Sequence, residues 1–288
     1  MRPALVPLLA LLAASCHPPP PAHPHYALGA PYAAGGVWYY PHDSYEGQET
    51  GLAVVYPADH ADLTADGEAF DQTALAAAHQ TLQLPAIARV TNLENGLQVL
   101  VRINDRGPAT PHRLIEVTRR TAALLRFPAD APVRVRLEVL PAESHAAADA
   151  LPGAPKLELI AAPVGAVQQS DLPPPGGEAP AVAAPAAEPQ PEAPTTGVPI
   201  ARLPESVTQG TPDPGQLFIR LGTFQTYQYA GIQRSRVAGL GATIVSTREA
   251  RRQTYRVIIG PLASVQQADT VLDQVIRAGV TDARIVVE

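Results

Sequence analysis

The sequence predicts two folded domains of different class: a mainly β domain, read as a small barrel, then an α+β domain of βαββαβ order. Three observations lead there. Short Val/Ile/Leu-rich runs bounded by turn residues recur between Gly51 and Val139. Residues 216–288 contain two similar halves offset by 38 positions. Between these regions the chain turns rich in Pro and Ala, and the 288 residues hold 32 Pro, about 11% against a usual ~5%. One compact domain does not absorb so many, because Pro removes a backbone donor and breaks element interiors.

Composition also excludes classes. A formal net charge of −6 argues against a dedicated nucleic-acid binder. A single Cys rules out an internal disulfide framework and a Cys-only zinc site. No uncharged apolar run reaches 18 residues, so no ordinary membrane-spanning helix is expected. No metal-ligand cluster or phosphate-binding Gly loop stands out, and no cofactor is expected. His17, His23 and His25 in the Pro-rich stretch after Cys16 read as solvated residues.

Taken in order, residues 1–16 read as an export signal: Arg2, an apolar core from Ala4 to Leu12, small residues, then Cys16. Residues 17–27 form a Pro-rich extended spacer. The barrel domain is placed at 28–140. Its strands are expected at Gly51–Tyr56, Ile87–Asn92, Gln98–Asn104 and Val133–Val139. Asn95-Gly96 predicts a hairpin with a type I′ turn. Short helices are expected near Thr73–Ala76 and Thr118–Leu125. Residues 141–213 lack the bulky apolar side chains that offset ordering entropy and are read as a disordered linker. At roughly 3.1 Å per residue its Pro/Ala-rich part would reach on the order of 150–190 Å fully extended.

The C-terminal domain is placed at 214–288. Strands are expected at Gln216–Leu221, Ala242–Ser246, Tyr255–Ile259 and Arg284–Val287. Helices are expected at Ala230–Ala238, stopped by Gly239, and at Ala268–Ala278, stopped by Gly279. This order gives an antiparallel sheet with both helices on one face, the other face being left open for binding.

Three resemblances sharpen the reading. The stretch Leu12-Ala13-Ala14-Ser15-Cys16 resembles a bacterial lipobox, although Ala13 stands where Leu is commonest. It implies lipidation of Cys16, a bilayer anchor worth roughly 0.8 kcal/mol per buried CH₂, and outer-membrane sorting, since His17 and not Asp follows. FIRLGTF (218–224), YRVIIGPLASVQQA (255–268) and AGVTDARIV (278–286) resemble a SPOR domain. That family binds peptidoglycan glycan strands stripped of stem peptides at division sites. The resemblance implies a ferredoxin-like fold and makes Arg220, Phe224, Gln225, Tyr255 and Arg256 candidate contacts. Phe224 and Tyr255 equally suit core packing, and Arg220 stands where Gln is frequent.

The barrel region resembles the rare lipoprotein A family in GLAVVY (51–56), LTADGEAFD (63–71), ALAAAHQTLQLPAIARVTNLENG (74–96) and VRINDRGP (101–108). The resemblance covers about residues 28–140. It implies a six-stranded double-psi β-barrel and a septal lytic transglycosylase, which cleaves between MurNAc and GlcNAc without water and leaves a 1,6-anhydro-MurNAc end. Such chemistry needs an acid for the leaving oxygen and negative charge near an oxocarbenium-like transition state. The resemblance gathers Asp105, Glu68, Asp71 and His79 as catalytic candidates, with Arg106 as a substrate contact. Asp105 and Glu68 are expected to be chemically essential and the other two to position. Each also has a structural reading: an Asp105-Arg106 turn, a solvated Glu68, a helix-capping Asp71, a core His79. Two departures stand out: Glu116 replaces an Asp, and Val55-Tyr56-Pro57 replaces Trp-Tyr-Gly.

The expected partners are peptide-free glycan strands and, through the lipid, a bilayer. The septal setting adds divisome or amidase partners. The expected place is the periplasm-facing outer membrane, enriched at the septum. Two alternatives stay open: a non-catalytic septal wall-binding lipoprotein, and a hydrolase that leaves a reducing end.

Overall fold

The computed structural model describes residues 20–129, 131–156, 202–249 and 252–288. Cys16 and the signal segment lie outside them, as does the linker from 157 to 201.

The chain enters along the barrel. Backbone N–H groups of His23 and His25 donate to Gly67 and Asp66 carbonyls (both 2.9 Å), and Ala27 bridges Leu84. A hairpin follows, β1 (Tyr32–Ala34) and β2 (Val37–Tyr39). Six strands then close the barrel: β3 (Gly47–Val55), β4 (Ala76–His79), β5 (Ala86–Asn92), β6 (Leu97–Asp105), β7 (Ile115–Val117) and β8 (Val133–Val139). Neighbours run β4-β7-β3-β8-β5-β6, and β6 pairs back with β4. The β3–β7 and β4–β6 pairs are parallel and the others antiparallel. This is the closed six-stranded barrel expected. Inward residues alternate along β8, where Val133, Val135, Leu137 and Val139 are buried with Arg134, Arg136 and Glu138 between them.

Three expectations change. Residues 73–76 form no helix. Gln72–Leu75 turn into β4, whose four residues are all buried between β6 and β7. The β5–β6 connection is not a type I′ turn, which needs positive φ at both central residues. Only Gly96 is left-handed (φ 76°), in a four-residue loop closed by Gly96 N–H donating to Asn92. And residues 141–149 are not linker. They form α2 (Pro141–Asp149), with Pro at its first turn and Glu143 beside it. Buried Ser144 bonds both the N–H (2.9 Å) and the carbonyl (3.0 Å) of Ile87 in β5. The helix expected at 118–125 is α1 (Arg119–Leu124), capped by Thr118.

Residues 202–215 also lie on the barrel. Here β9 (Thr208–Gln209) extends β6, and Asp213 N–H donates to Leu93 (2.8 Å). The C-terminal sheet holds β10 (Leu217–Phe224), β11 (Thr243–Glu249), β12 (Arg252–Leu262) and β13 (Arg284–Val287), in the order β11-β12-β10-β13 with every neighbouring pair antiparallel. The helices α3 (Tyr227–Arg236) and α4 (Val265–Arg277) pack on it. Ser264 caps α4 by accepting from Gln267 N–H.

The two domains dock through β3 and β13. Thr50 Oγ1 donates to Val287 O (2.8 Å), and Arg284 pairs with Glu49 (2.8 Å). Arg113 grips Asp269 of α4 with both terminal nitrogens, at 2.7 and 2.9 Å. Leu52 and Leu93 of the barrel are buried within the core cluster of the C-terminal domain. A linker that lets the domains search separately is thus not the arrangement seen; the C-terminal domain sits on the barrel.

Candidate active site

Strand alternation decides which candidates meet. Ala78 of β4 pairs with Asp105 of β6 on one side and Glu116 of β7 on the other. Paired residues point to the same face of a sheet. The two carboxyls therefore flank a methyl group, across two strand spacings of roughly 4.8 Å each. Only a small residue at 78 leaves the space between them open. His79, the next residue along, points the other way.

Asp105 is buried and has four polar partners. Oδ1 accepts from Ala65 N–H (2.9 Å) and from Arg106 N–H (2.8 Å). Oδ2 meets His60 Nε2 at 2.9 Å and accepts from the Tyr56 hydroxyl at 3.3 Å. His60 Nδ1 lies 2.8 Å from Ala61 O, an atom that only accepts. With Nδ1 donating there, Nε2 is the ring atom turned to Asp105, at a distance over which a proton can pass between the two groups. His60 is fixed by Phe70 (ring centroids 3.9 Å apart) and by the edge of Tyr56 (4.8 Å). Burial, then Asp105, raises the Tyr56 phenol well above its usual range. It therefore stays a donor. Burial likewise raises the Glu116 carboxyl, against an opposing bond from Ala109 N–H (3.2 Å).

Glu68 sits in an adjoining cluster. Oε1 pairs with Arg102 at 2.6 and 2.7 Å, and Oε2 accepts from Asn104 (2.8 Å). Both oxygens are engaged. Next to it Asp66 is fully buried. One oxygen accepts from Thr64 Oγ1 (2.7 Å), and the other has no partner among the described residues. Burial, then the neighbouring Glu68, pushes its pKa up to about 8. Asp71 caps no helix; it accepts from Thr73 N–H (2.8 Å) and pairs with Arg202 (2.7 Å). Glu68 and Asp71 do share a cleft of about 150 Å³, which Leu203 and Glu205 also line.

Among the described residues His79 makes no hydrogen bond to Asp105, Glu68 or Asp71. Its Nδ1 accepts from Thr81 and Leu82 N–H (3.3 and 3.2 Å), and burial pushes its pKa down to about 4. Arg106 spends its guanidinium on the carbonyls of Leu28, His79 and Leu82.

In the C-terminal domain, alternation puts Leu217, Ile219 and Leu221 in the core and Arg220 on the opposite face. Arg220 and Arg256 meet Glu288 at 3.4 and 2.7 Å. They line a groove of about 660 Å³ whose far wall is Gly47–Thr50 of the barrel. Phe224 and Tyr255 pack against the core instead, and Gln225 is exposed. His60 is the residue that sequence reasoning missed. Its signal was modest: a histidine four after Tyr56 and ahead of the acidic loop.

Comparison with known proteins now bears on this geometry. The family described as lytic transglycolase matches residues 48–137, and the SPOR domain matches 213–285. The endolytic peptidoglycan transglycosylase RlpA of Pseudomonas aeruginosa is 30% identical over 267 residues, covering 85% of this chain and 72% of that protein. The chain belongs to the RlpA family. Its counterpart in Rickettsia felis is 38% identical over 125 residues, 42% of this chain and 55% of the relative. In Escherichia coli it is 49% identical over 88 residues, 30% of this chain and 24% of the relative. The chain thus spans about half or less of the length of these last two. The matched family segment contains Asp105, Glu116, His60 and Glu68.

Proposed function

We propose that the protein is an endolytic peptidoglycan lytic transglycosylase. It would cut the MurNAc–GlcNAc bond of peptide-free glycan strands and leave 1,6-anhydro-MurNAc ends. The observation that carries this reading is the Asp105–His60 pair with Glu116 on the same face. Asp105, in its acid form, protonates the leaving glycosidic oxygen as the C1–O bond breaks. The buried Glu116 carboxyl is placed to balance positive charge developing at C1 once it ionises. The C6 hydroxyl of the same sugar then attacks C1, and its proton passes to the Asp105 carboxylate. The acid is restored and no water is consumed. His60, with Nε2 2.9 Å from Oδ2, orients Asp105 and relays its proton.

The arginine-lined groove between Arg220, Arg256 and the barrel edge supports binding of the strand beyond the cut. Docking of that domain on the barrel raises the local concentration of substrate at the reacting carboxyls. Lipidation at Cys16, outer-membrane residence, septal enrichment and divisome or amidase partners belong to the same reading and rest on the sequence motifs.

A second reading keeps the barrel as a non-catalytic wall-binding unit. Full engagement of Glu68 by Arg102 and Asn104 favours it. Mass spectrometry of products from peptide-free strands separates the two: anhydro ends that disappear in Asp105→Asn support cleavage, reducing ends make the protein a hydrolase, and intact strands with binding retained support the wall-binding unit.

A further inference from the structure

The cleft that holds Glu68 and Asp71 is partly walled by the chain's own return towards the C-terminal domain. Arg202 pairs with Asp71 (2.7 Å), Leu203 lines the cleft, and Glu205 pairs with Arg120 of α1. Thr208 and Gln209 then pair with Gln98 and Leu97 of β6. β4 joins β6 only from Arg102 onward, so this stretch of strand edge is one that the barrel itself leaves open. An open edge is a ready seat for an extended segment. Further along, Gly210 N–H donates to Gly96 O (2.8 Å), and the approach is so close that a Cβ on Gly96 would stand 2.2 Å from Gly210 O. The seat is specific, but the hold is light. Both ion pairs are largely exposed and contribute little, and β9 is two residues long. A segment held this way opens without unfolding the barrel.

We propose that residues 202–209 are an autoinhibitory strap that competes with the glycan strand for the cleft at Glu68 and Asp71. What the strap covers suits a sugar: Asp71, Thr73 and Asn104 share the cleft with Phe70 and Leu75, an apolar wall with a few polar groups. The cleft measures about 150 Å³, below the ~300–1,000 Å³ usual for a ligand site, and Leu203 and Glu205 are among the walls that narrow it. It also adjoins the reacting carboxyl, because the loop that carries Glu68 supplies the Ala65 N–H that holds Asp105 (2.9 Å). With the strap seated, Arg202 occupies Asp71 and Leu203 stands where a sugar ring would lie. With the strap lifted from β6, the cleft opens to the strand. The occupant is tethered, since Gln216 and β10 follow directly on it, so it competes at an effective concentration on the order of millimolar. The inference rests on the proposed glycan substrate.

The full chain is compared with its Arg202→Ala/Leu203→Ala double variant, by hydrogen exchange at residues 206–213 and by steady-state cleavage of peptide-free glycan strands. Neither side chain belongs to the barrel core, and circular dichroism checks the fold. In wild type, exchange over 206–213 should rise when strands are added, while the barrel core stays protected. In the double variant it should be high before any strand is present. Because apparent affinity is the intrinsic affinity scaled by the open fraction, KM should fall roughly threefold to tenfold in the variant with kcat unchanged. Exchange that strands leave unchanged overturns the strap. So does a variant with wild-type KM, which would make the segment a plain tether, or one with a raised KM, which would make Arg202 and Leu203 part of the binding site. Anhydro products with unchanged exchange sink the strap and leave the proposed function standing. No cleavage by either protein, with exchange that rises on strand addition in wild type and is already high in the variant, does the reverse.

Discussion

Replacing Asp66 with Asn tests the electrostatics of the acidic loop. Burial, then Glu68, pushes the native carboxyl up to about 8, against an ordinary value of 3.8. A folded pKa above the unfolded one means that the folded state holds the extra proton through this window. Its stabilising contribution is complete below about pH 4 and is lost as pH rises towards 8. The slope is about 1.4 kcal/mol per pH unit. His79 has the opposite sign below pH 6.5, so the clean interval is pH 6.5 to 8. Across it wild-type stability should fall by roughly 2 kcal/mol from Asp66 alone, a sizeable share of the 5–15 kcal/mol typical of a domain. Asn is close in shape and cannot ionise. Urea unfolding of both proteins at pH 6.5, 7.2 and 8 gives the difference at each pH, and groups common to both cancel. The variant should gain on wild type by about 2 kcal/mol over the interval. Parallel stability curves would refute the claim that Asp66 is buried and protonated at neutral pH.

Other outcomes follow from single contacts. His79, held at about 4 by burial, should cost stability as pH falls from 6.5 to 4, at about 1.4 kcal/mol per unit, and His79→Phe should lose that slope in the same urea titration. Thr118→Ala removes the cap of α1 and the bond from its hydroxyl to Ala74 O (2.6 Å), which should lower stability by about 1–2 kcal/mol by calorimetry. Asp269→Ala leaves the 9%-exposed Arg113 side chain without its partner, so hydrogen exchange at β13 and β3 should rise while the barrel core stays protected. His60→Gln should lower turnover by about a hundredfold or more with the fold kept, since general acid–base groups contribute 10²–10⁴.

Much of this fold could be read from alternation and turn residues. The long strands β5, β6 and β8 fall where Val and Ile recur, and the C-terminal halves announce themselves by repetition. The misreadings share one physical cause. Ala74–Ala78 has the best helix formers, yet three of these alanines form β4, paired with β6 and β7, and Ala78 sits between Asp105 and Glu116. Tertiary packing overrode propensity. Likewise the Ala-rich stretch 141–149 looked like linker, although Pro141 and Glu143 mark a helix start; its contacts with Ile87 and Tyr45 hold it on the barrel.

The site was half legible. Asp105 and Glu116 stood in recognisable motifs, but their placement on one face depends on a three-strand register that no local pattern encodes. The same register turns His79 to the opposite face of β4 from Ala78. His60 becomes important only because Phe70 and Tyr56 clamp its ring against Asp105. Domain docking was not legible at all. Thr50, Leu52, Leu93 and Arg113 look like ordinary barrel residues until the C-terminal domain covers them.

The central claim is that the Asp105–His60 pair breaks a glycosidic bond without water. The most direct measurement is mass spectrometry of products released from peptide-free glycan strands in H₂¹⁸O, with wild type beside Asp105→Asn and His60→Gln. The account predicts 1,6-anhydro ends free of ¹⁸O in wild type, none from Asp105→Asn and few from His60→Gln. Reducing ends carrying ¹⁸O, or undiminished anhydro product from Asp105→Asn, would contradict it.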